Sequence, residues 1–139
     1  MASTIEMSDK LPVTDAAAEP SRSGRHRLSP FDCAITVWRG ASGRAYVHTA
    51  YALTGCPELP PASVLLVNRE TPTATGVVVK AMTVEHEAPS LNRAEIRQQG
   101  ALLGATEVHL HFAGGARLAR LTATIDLTLR HGNAKSADK

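Results

Sequence analysis

The segment Ala88–Phe112, APSLNRAEIRQQGALLGATEVHLHF, gives the clearest indication of the architecture because it is predicted to join a helix directly to a strand. Asn92 is the expected N-cap and Glu95 its capping-box partner, since each side chain can accept a hydrogen bond from an amide that the first turn leaves open. Gly104 suits the left-handed C-cap that ends many helices. The spacing of these signals predicts a helix over 92–103.

The helix and the strand after it each have one apolar face. Small or apolar residues recur at helical spacing at Leu91, Ile96, Gly100 and Leu103. After Gly104 the period changes to two, which is the side-chain period of a strand. The strand alternates Val108, Leu110 and Phe112 with Glu107, His109 and His111. We therefore expect its apolar side to pack in the core and its polar side to face solvent.

Length and composition predict one small soluble domain. The chain has 139 residues, which is enough for a single modest core. Residues 1–29 and 133–139 are polar and lack periodicity, so they are predicted to be disordered tails around a domain over 30–132. Hydrophobic residues make up 43% of the chain but aromatic ones only 4%, so aliphatic side chains must build the core.

The sequence also indicates where the protein works. No apolar stretch approaches the roughly 20 residues that cross a bilayer. The first residues lack the basic and apolar regions of a secretory signal, so we expect a cytoplasmic protein that does not bind membranes. Cys33 and Cys56 stand far apart in the sequence and are predicted to be reduced.

Four earlier segments alternate in polarity or are rich in β-branched residues, and they are predicted to be strands. They are Ala34–Arg39, Arg44–Leu53, Val64–Asn68 and Val77–Val84. The first two flank a four-residue turn of hairpin length. The third is continuously apolar, which is typical of a strand buried on both faces.

Residues 117–130 fit two patterns. Leucine and isoleucine recur there at helical spacing, but apolar residues also alternate with threonine and aspartate as in a strand. We favour a helix because it would cover the apolar face that the strands leave open, and a strand is the alternative. The predicted fold is thus α+β, with about five strands in an antiparallel or mixed sheet and one or two helices packed on a face.

Two sets of side chains have residue types that carry chemistry. His109 and His111 lie on one side of their strand beside Glu107, and this set is the candidate for a divalent metal ion. The alternative is an exposed polar sheet face. Cys56 is a candidate nucleophile with His48 upstream, although no spacing enforces the cysteine–histidine pair that such catalysis needs.

Arginine accounts for eleven of the fifteen basic residues, and its side chain binds phosphate in a forked geometry. Arg93 and Arg97 lie one turn apart on the exposed side of the predicted helix, and Arg117 and Arg120 would extend this side if the last element is helical. These four arginines are candidate contacts to nucleic-acid phosphates or to a protein partner. The net charge of +2 is too small to indicate a nucleic-acid partner by itself.

The run Gly55-Cys56-Pro57-Glu58-Leu59-Pro60, taken with Ala88–Phe112, resembles a group of short uncharacterised bacterial proteins. The order of elements is also similar to the GIY-YIG nuclease fold, in which two strands precede a helix that carries an arginine, here Arg93 or Arg97. A third strand and a helix with a metal-binding acid follow, here with Asp126 instead of glutamate. Neither Gly-Ile-Tyr nor Tyr-Ile-Gly is present, so the resemblance implies the fold with its phosphodiester cleavage diverged or lost.

Together these features favour a non-catalytic cytoplasmic accessory or interaction domain without a cofactor, bound to nucleic acid or protein through its arginine-bearing helix. The alternative is a degenerate GIY-YIG-like endonuclease that uses a divalent metal, with Arg97, His111 and Asp126 as catalytic residues and His109 beside them. A homodimer is a third expectation, because an edge strand rich in valine and isoleucine invites pairing with a second copy.

Overall fold

The computed structural model describes residues 32–132, so the predicted tails over 1–29 and 133–139 lie outside the described residues. The described part contains one five-stranded antiparallel sheet and two helices longer than one turn, which confirms the predicted α+β class. The strands are β1 (Cys33–Arg39), β2 (Ala45–Ala52), β3 (Ala62–Asn68), β4 (Val77–Val84) and β5 (Glu107–His111). The helices are α1 (Pro89–Leu103) and α2 (Arg117–Leu127), so the helical interpretation of the last element is confirmed.

The strands pair in the order β1–β2–β5–β3–β4. β1 with β2 and β3 with β4 are consecutive hairpins, and β5 enters last between them. The strand that follows the helix is therefore the central strand of the sheet, with a paired neighbour on each side. Neither helix of residues 32–132 is long and apolar enough to cross a membrane.

Helix α1 begins earlier than the sequence signals predict. Its N-cap is Ala88, which makes no side-chain capping bond, and Pro89 stands in the first turn, where its fixed φ suits a helix start. Gly104 ends the helix with a φ of 76°, as predicted. The predicted N-cap, Asn92, instead lies inside the helix and is fully buried.

The polar side chains predicted to cap α1 hold the preceding loop instead. Asn92 accepts a hydrogen bond from the backbone N–H of His86 at 3.0 Å and donates to the carbonyl of Leu59 at 2.9 Å. Glu95 contacts the His86 ring at 3.1 Å and forms no capping box. Both predictions of a capping role are therefore wrong, because Asn92 and Glu95 form their hydrogen bonds with the loops before the helix and not with the amides of its first turn.

Each face of the sheet carries one helix. The alternate residues of β3 divide between two cores: Val64 and Leu66 pack in a cluster with Ile96 of α1. Leu65 and Val67 pack in a second cluster with residues of α2. β3 is thus buried on both faces, as its continuous apolar run predicts.

The predicted apolar faces of α1 and β5 are buried only in part. Ile96, Val108 and Leu110 are at most 1% exposed. Gly100 lies so close to Leu53 that an added Cβ would come within 2.6 Å of its Cδ1. Leu91, Leu103 and Phe112 were expected in the core, but they lie at the ends of their elements and are 52%, 41% and 39% exposed.

Replacement of Ile96 by alanine is expected to lower the free energy of unfolding by about 3 kcal/mol, because it leaves a cavity between α1 and the sheet. Leu102→Ala is the matched control on the same helix, since Leu102 is 72% exposed and should change stability little. Urea unfolding of both variants measures the difference. Equal losses would contradict the placement of α1.

Candidate functional site

The polar side of β5 is buried rather than exposed. Glu107 is 3% exposed and His109 is 1% exposed, because both side chains point to the face of the sheet that α2 covers. The prediction of a solvent-facing polar side is therefore wrong for these two residues. A buried carboxylate requires partners, and the structure supplies them.

A chain of four side chains crosses this face from the outer strand β1 to the end of β3. The Trp38 indole N–H donates to Nδ1 of His109 at 2.8 Å. Since Nδ1 accepts, the proton of the neutral ring is on Nε2, which donates to Glu107 at 2.9 Å. Arg69 donates to the same carboxylate through Nε at 2.8 Å and Nη2 at 3.3 Å.

The charges of this network are fixed by its geometry. Burial disfavours the charge on Glu107, but hydrogen bonds from His109 and Arg69 outweigh burial and lower the pKa of Glu107 to about 2. Burial lowers the pKa of His109, although Glu107 opposes this effect. A proton on Nδ1 would also face the Trp38 N–H donor. Neutral His109 and the Arg69–Glu107 ion pair are therefore the stable states.

The atoms of Glu107 and His109 that would bind a metal ion already form hydrogen bonds with other side chains. Both ring nitrogens of His109 and both carboxylate oxygens of Glu107 have partners. His111 lies on the same side and donates from Nδ1 to the carbonyl of Val47 at 2.9 Å. Within residues 32–132, no three His, Cys, Asp or Glu side chains are grouped so that they could hold a metal ion.

His48 is the second buried imidazole of this face. It is fully buried and donates from Nδ1 to the carbonyl of Tyr46 at 2.9 Å, while its Nε2 has no hydrogen-bond partner. Burial lowers the pKa of His48 from 6.5 to about 3. The alternation of residues in β2 puts His48 on the same side of the strand as Tyr46, but no sequence signal shows that this side is buried.

The unfolding free energy is expected to fall as the pH decreases from about 6.5 towards 3. The unfolded chain binds a proton at His48 in this range and the folded chain does not, so acid favours unfolding by up to about 1.4 kcal/mol per pH unit. His109 adds to the same slope. His48→Asn keeps a donor near the Tyr46 carbonyl but does not titrate. The slope of the unfolding free energy against pH should therefore become smaller by up to about 1.4 kcal/mol per pH unit, which corresponds to one proton.

Urea unfolding at a series of pH values measures these slopes. His86→Asn is the matched control, because the His86 side chain is 48% exposed. If wild type and His48→Asn lost stability in parallel between about pH 6 and 4, His48 would not be the buried neutral group that the structure indicates.

Glu107→Gln is expected to lower the unfolding free energy by about 3 kcal/mol, because it leaves the Arg69 guanidinium without a countercharge at a site where its side chain is 13% exposed. Glu58→Gln is the control, since the Glu58–Arg93 pair is 52% and 37% exposed and should contribute about 0.5 kcal/mol. Thermal or urea unfolding compares them. Similar small losses would argue against a buried network.

The residues predicted for catalysis do not meet in one cleft. Asp126 of α2 accepts hydrogen bonds from Ser42 and from the Tyr46 hydroxyl, and these bonds lower the pKa of Asp126. The His111 ring lies edge-on to Tyr46 at 5.3 Å. Arg97, however, belongs to α1 on the opposite face, where it donates to the carbonyl of Thr54. The arrangement gives the endonuclease alternative no support.

The candidate cysteine nucleophile is also separated from His48, the base suggested for it. Cys56 is buried in the core under α1, and burial raises the pKa of its thiol to about 11. His48 points to the other face of the sheet. Cys33 and Cys56 are both free thiols, as predicted.

The four candidate arginines are divided between the two faces. Arg93 and Arg97 lie on α1, and Arg93 pairs with Glu58 at 3.2 Å. Arg117 and Arg120 lie on α2, and Arg120 is only 6% exposed because it bonds Glu85 at 2.7 Å. They do not form the single basic side that was predicted, and phosphate binding by Arg93 and Arg97 stays a prediction.

The side of the sheet that carries α1 is left open over the first hairpin. Val37 of β1 and Val47 of β2 are direct cross-strand partners, and Ile35 is the partner of Thr49. Thr49 in turn pairs with Leu110, whose side chain lies in the core under α1. Ile35, Val37 and Val47 are nevertheless 62%, 47% and 57% exposed.

Phe112 extends this open region from the central strand. It follows β5 directly, continues the alternation of Val108 and Leu110, and is 39% exposed. We call Ile35, Val37, Val47 and Phe112 the hairpin face. The alternation of residues in β1 and β2 predicts that they share a side, but the sequence does not show that α1 stops short of them.

Comparison of the chain with protein-family models, with curated proteins and with solved structures finds no match. The resemblances to the GIY-YIG nuclease fold and to short bacterial proteins therefore stay predictions.

Proposed function

We propose that the chain is a non-catalytic cytoplasmic interaction domain that binds a protein partner through the hairpin face. The observation that carries this proposal is the exposure of four large apolar side chains on one side of adjacent strands. Scattered single apolar residues are normal on a surface, but a contiguous patch of roughly 300–600 Å² on a small protein often marks an interaction site. The hairpin face is of this kind.

The chemistry of this face favours protein over nucleic acid. Its four defining residues carry no charge, whereas nucleic-acid binding depends on a basic surface that neutralises phosphates. The arginines that would form such a surface are divided between opposite faces, and Arg120 is buried in an ion pair. An apolar partner surface complements the hairpin face better than a phosphate backbone.

The polar groups also favour binding over catalysis. Glu107 and His109 are bonded to each other, to Arg69 and to Trp38, and Asp126 is bonded to hydroxyl and amide groups of the adjacent hairpin. A general acid or base must reach a substrate proton. Glu107 and His109 instead reach each other under α2, and Asp126 of α2 reaches Ser42 and Tyr46, so their contacts stabilise the fold.

A photo-crosslinking amino acid at position 47, introduced in cells that make the full chain, is expected to give discrete protein adducts. The same amino acid at position 125 is the control, because Ile125 is 60% exposed but lies on α2. Gel separation and mass spectrometry identify the adducts. No adduct from position 47, or the same adducts from both positions, would contradict the proposal.

A further inference from the structure

We infer that the partner is a second copy of this chain and that the hairpin faces of the two copies pack against each other. A two-fold axis relates the copies; it lies between the two sheets and runs parallel to the strands. The inference rests on the proposed function and names the occupant of the surface. Three features of the fold support a second copy: the depth of the uncovered space over the first hairpin, the free edge beside it and the chemistry of the hairpin face.

The uncovered space over the first hairpin is as deep as one helix or one packed sheet. Helix α1 packs over β3, β4 and β5 through Ile96, and Tyr51 near the end of β2 packs in the same cluster. On this side, β1 and the first half of β2 are left uncovered. A helix with its side chains is about 10–12 Å thick, and sheets packed face to face are about 10 Å apart. The hairpin of a second copy therefore fits in the layer that α1 occupies, directly beside it.

This arrangement also covers a free sheet edge. β1 is an outer strand, and among the described residues no strand pairs with its far side. With the axis between β1 and β2, the β1 strand of each copy lies next to α1 of the other copy. Natural sheets often protect an open edge with a helix. One association thus covers both the apolar side chains and the exposed edge.

The hairpin face is complementary to itself. The axis places Val37 of one copy opposite Val47 of the other, so apolar groups meet apolar groups, while the exposed Arg39 at the end of β1 lies opposite Ala45 of the other copy. These four side chains expose on the order of 400 Å² per copy, within the range of functional patches. Two copies together contribute about 800 Å², and contact between α1 and the opposite β1 extends this total towards the roughly 1,200 Å² of summed surface at which stable specific interfaces begin.

The other segment that could reach the hairpin face is less well matched to it. Residues 1–31 lead directly into β1, but they consist mainly of alanine, serine, proline and charged residues. A segment of this composition has little apolar surface to set against the hairpin face. The second copy supplies a surface of matching size and polarity.

Sedimentation equilibrium of the full chain is expected to give twice the 14.7 kDa mass of one chain. Val47→Glu places a charge in the apolar interface and should give a monomer, while Ile125→Glu, the matched change on α2, should stay a dimer. Circular dichroism checks that each variant is folded. A monomeric wild type at about 100 μM, or equal effects of the two variants, would overturn the inference.

A mixture of two variants tests the arrangement of the copies. Val37→Glu and Val47→Lys should each be monomeric alone, but together they should form a heterodimer, because the axis brings the two new charges opposite each other. Failure of the mixture to associate would overturn this arrangement. An adduct from position 47 to a different protein, or to residues 1–31, would overturn the second copy as occupant.

The two proposals fail in different ways. Adducts from position 47 to a different protein, with a monomeric wild type, would remove the dimer and keep the interaction domain. A monomeric wild type with no adducts would remove both.

Discussion

The buried negative charge of Glu107 constrains the whole arrangement of the sheet. Its carboxylate lies on the central strand under α2, and it is stable there only because Arg69 and His109 bond to it. Through these bonds the end of β3 is tied to β5, and Trp38 extends the connection over β2 to β1. The four side chains thus link the two hairpins across the strand that enters the sheet last.

The sequence predicted which side chains share a face, but it could not predict which faces would be covered. Alternation placed Glu107 and His109 together, yet their burial depends on where α2 docks, which no local pattern encodes. The same limit applies to Arg120, whose burial depends on Glu85, 35 positions away. The class of the fold was predictable because helical and strand periods are local properties.

The predictions made for the start of α1 were wrong for a similar reason. Asn92 has the right residue type for an N-cap, but its amide fits between two loop carbonyls, and Pro89 already begins the helix. Leu103 and Phe112 have the right period for a core position but lie where their elements end. Local signals establish that an element exists, and long-range contacts decide its ends and its neighbours.

The polar and apolar features of the chain thus have separate roles. Glu107, His109 and Arg120, which have residue types suited to chemistry, are bonded to other side chains inside the domain. The large apolar side chains of the hairpin face, in contrast, are left exposed by the domain. The proposed function therefore rests on apolar side chains rather than on histidine, cysteine or arginine.

The position of Trp38 has an optical consequence. It is the one tryptophan of the chain, its N–H is bonded to His109, and its ring lies edge-on to His131 at 5.1 Å. Indole emission is sensitive to nearby imidazole groups and to water. The tryptophan fluorescence of the protein therefore reports from a single place, where the outer strand meets the buried network, without any attached dye.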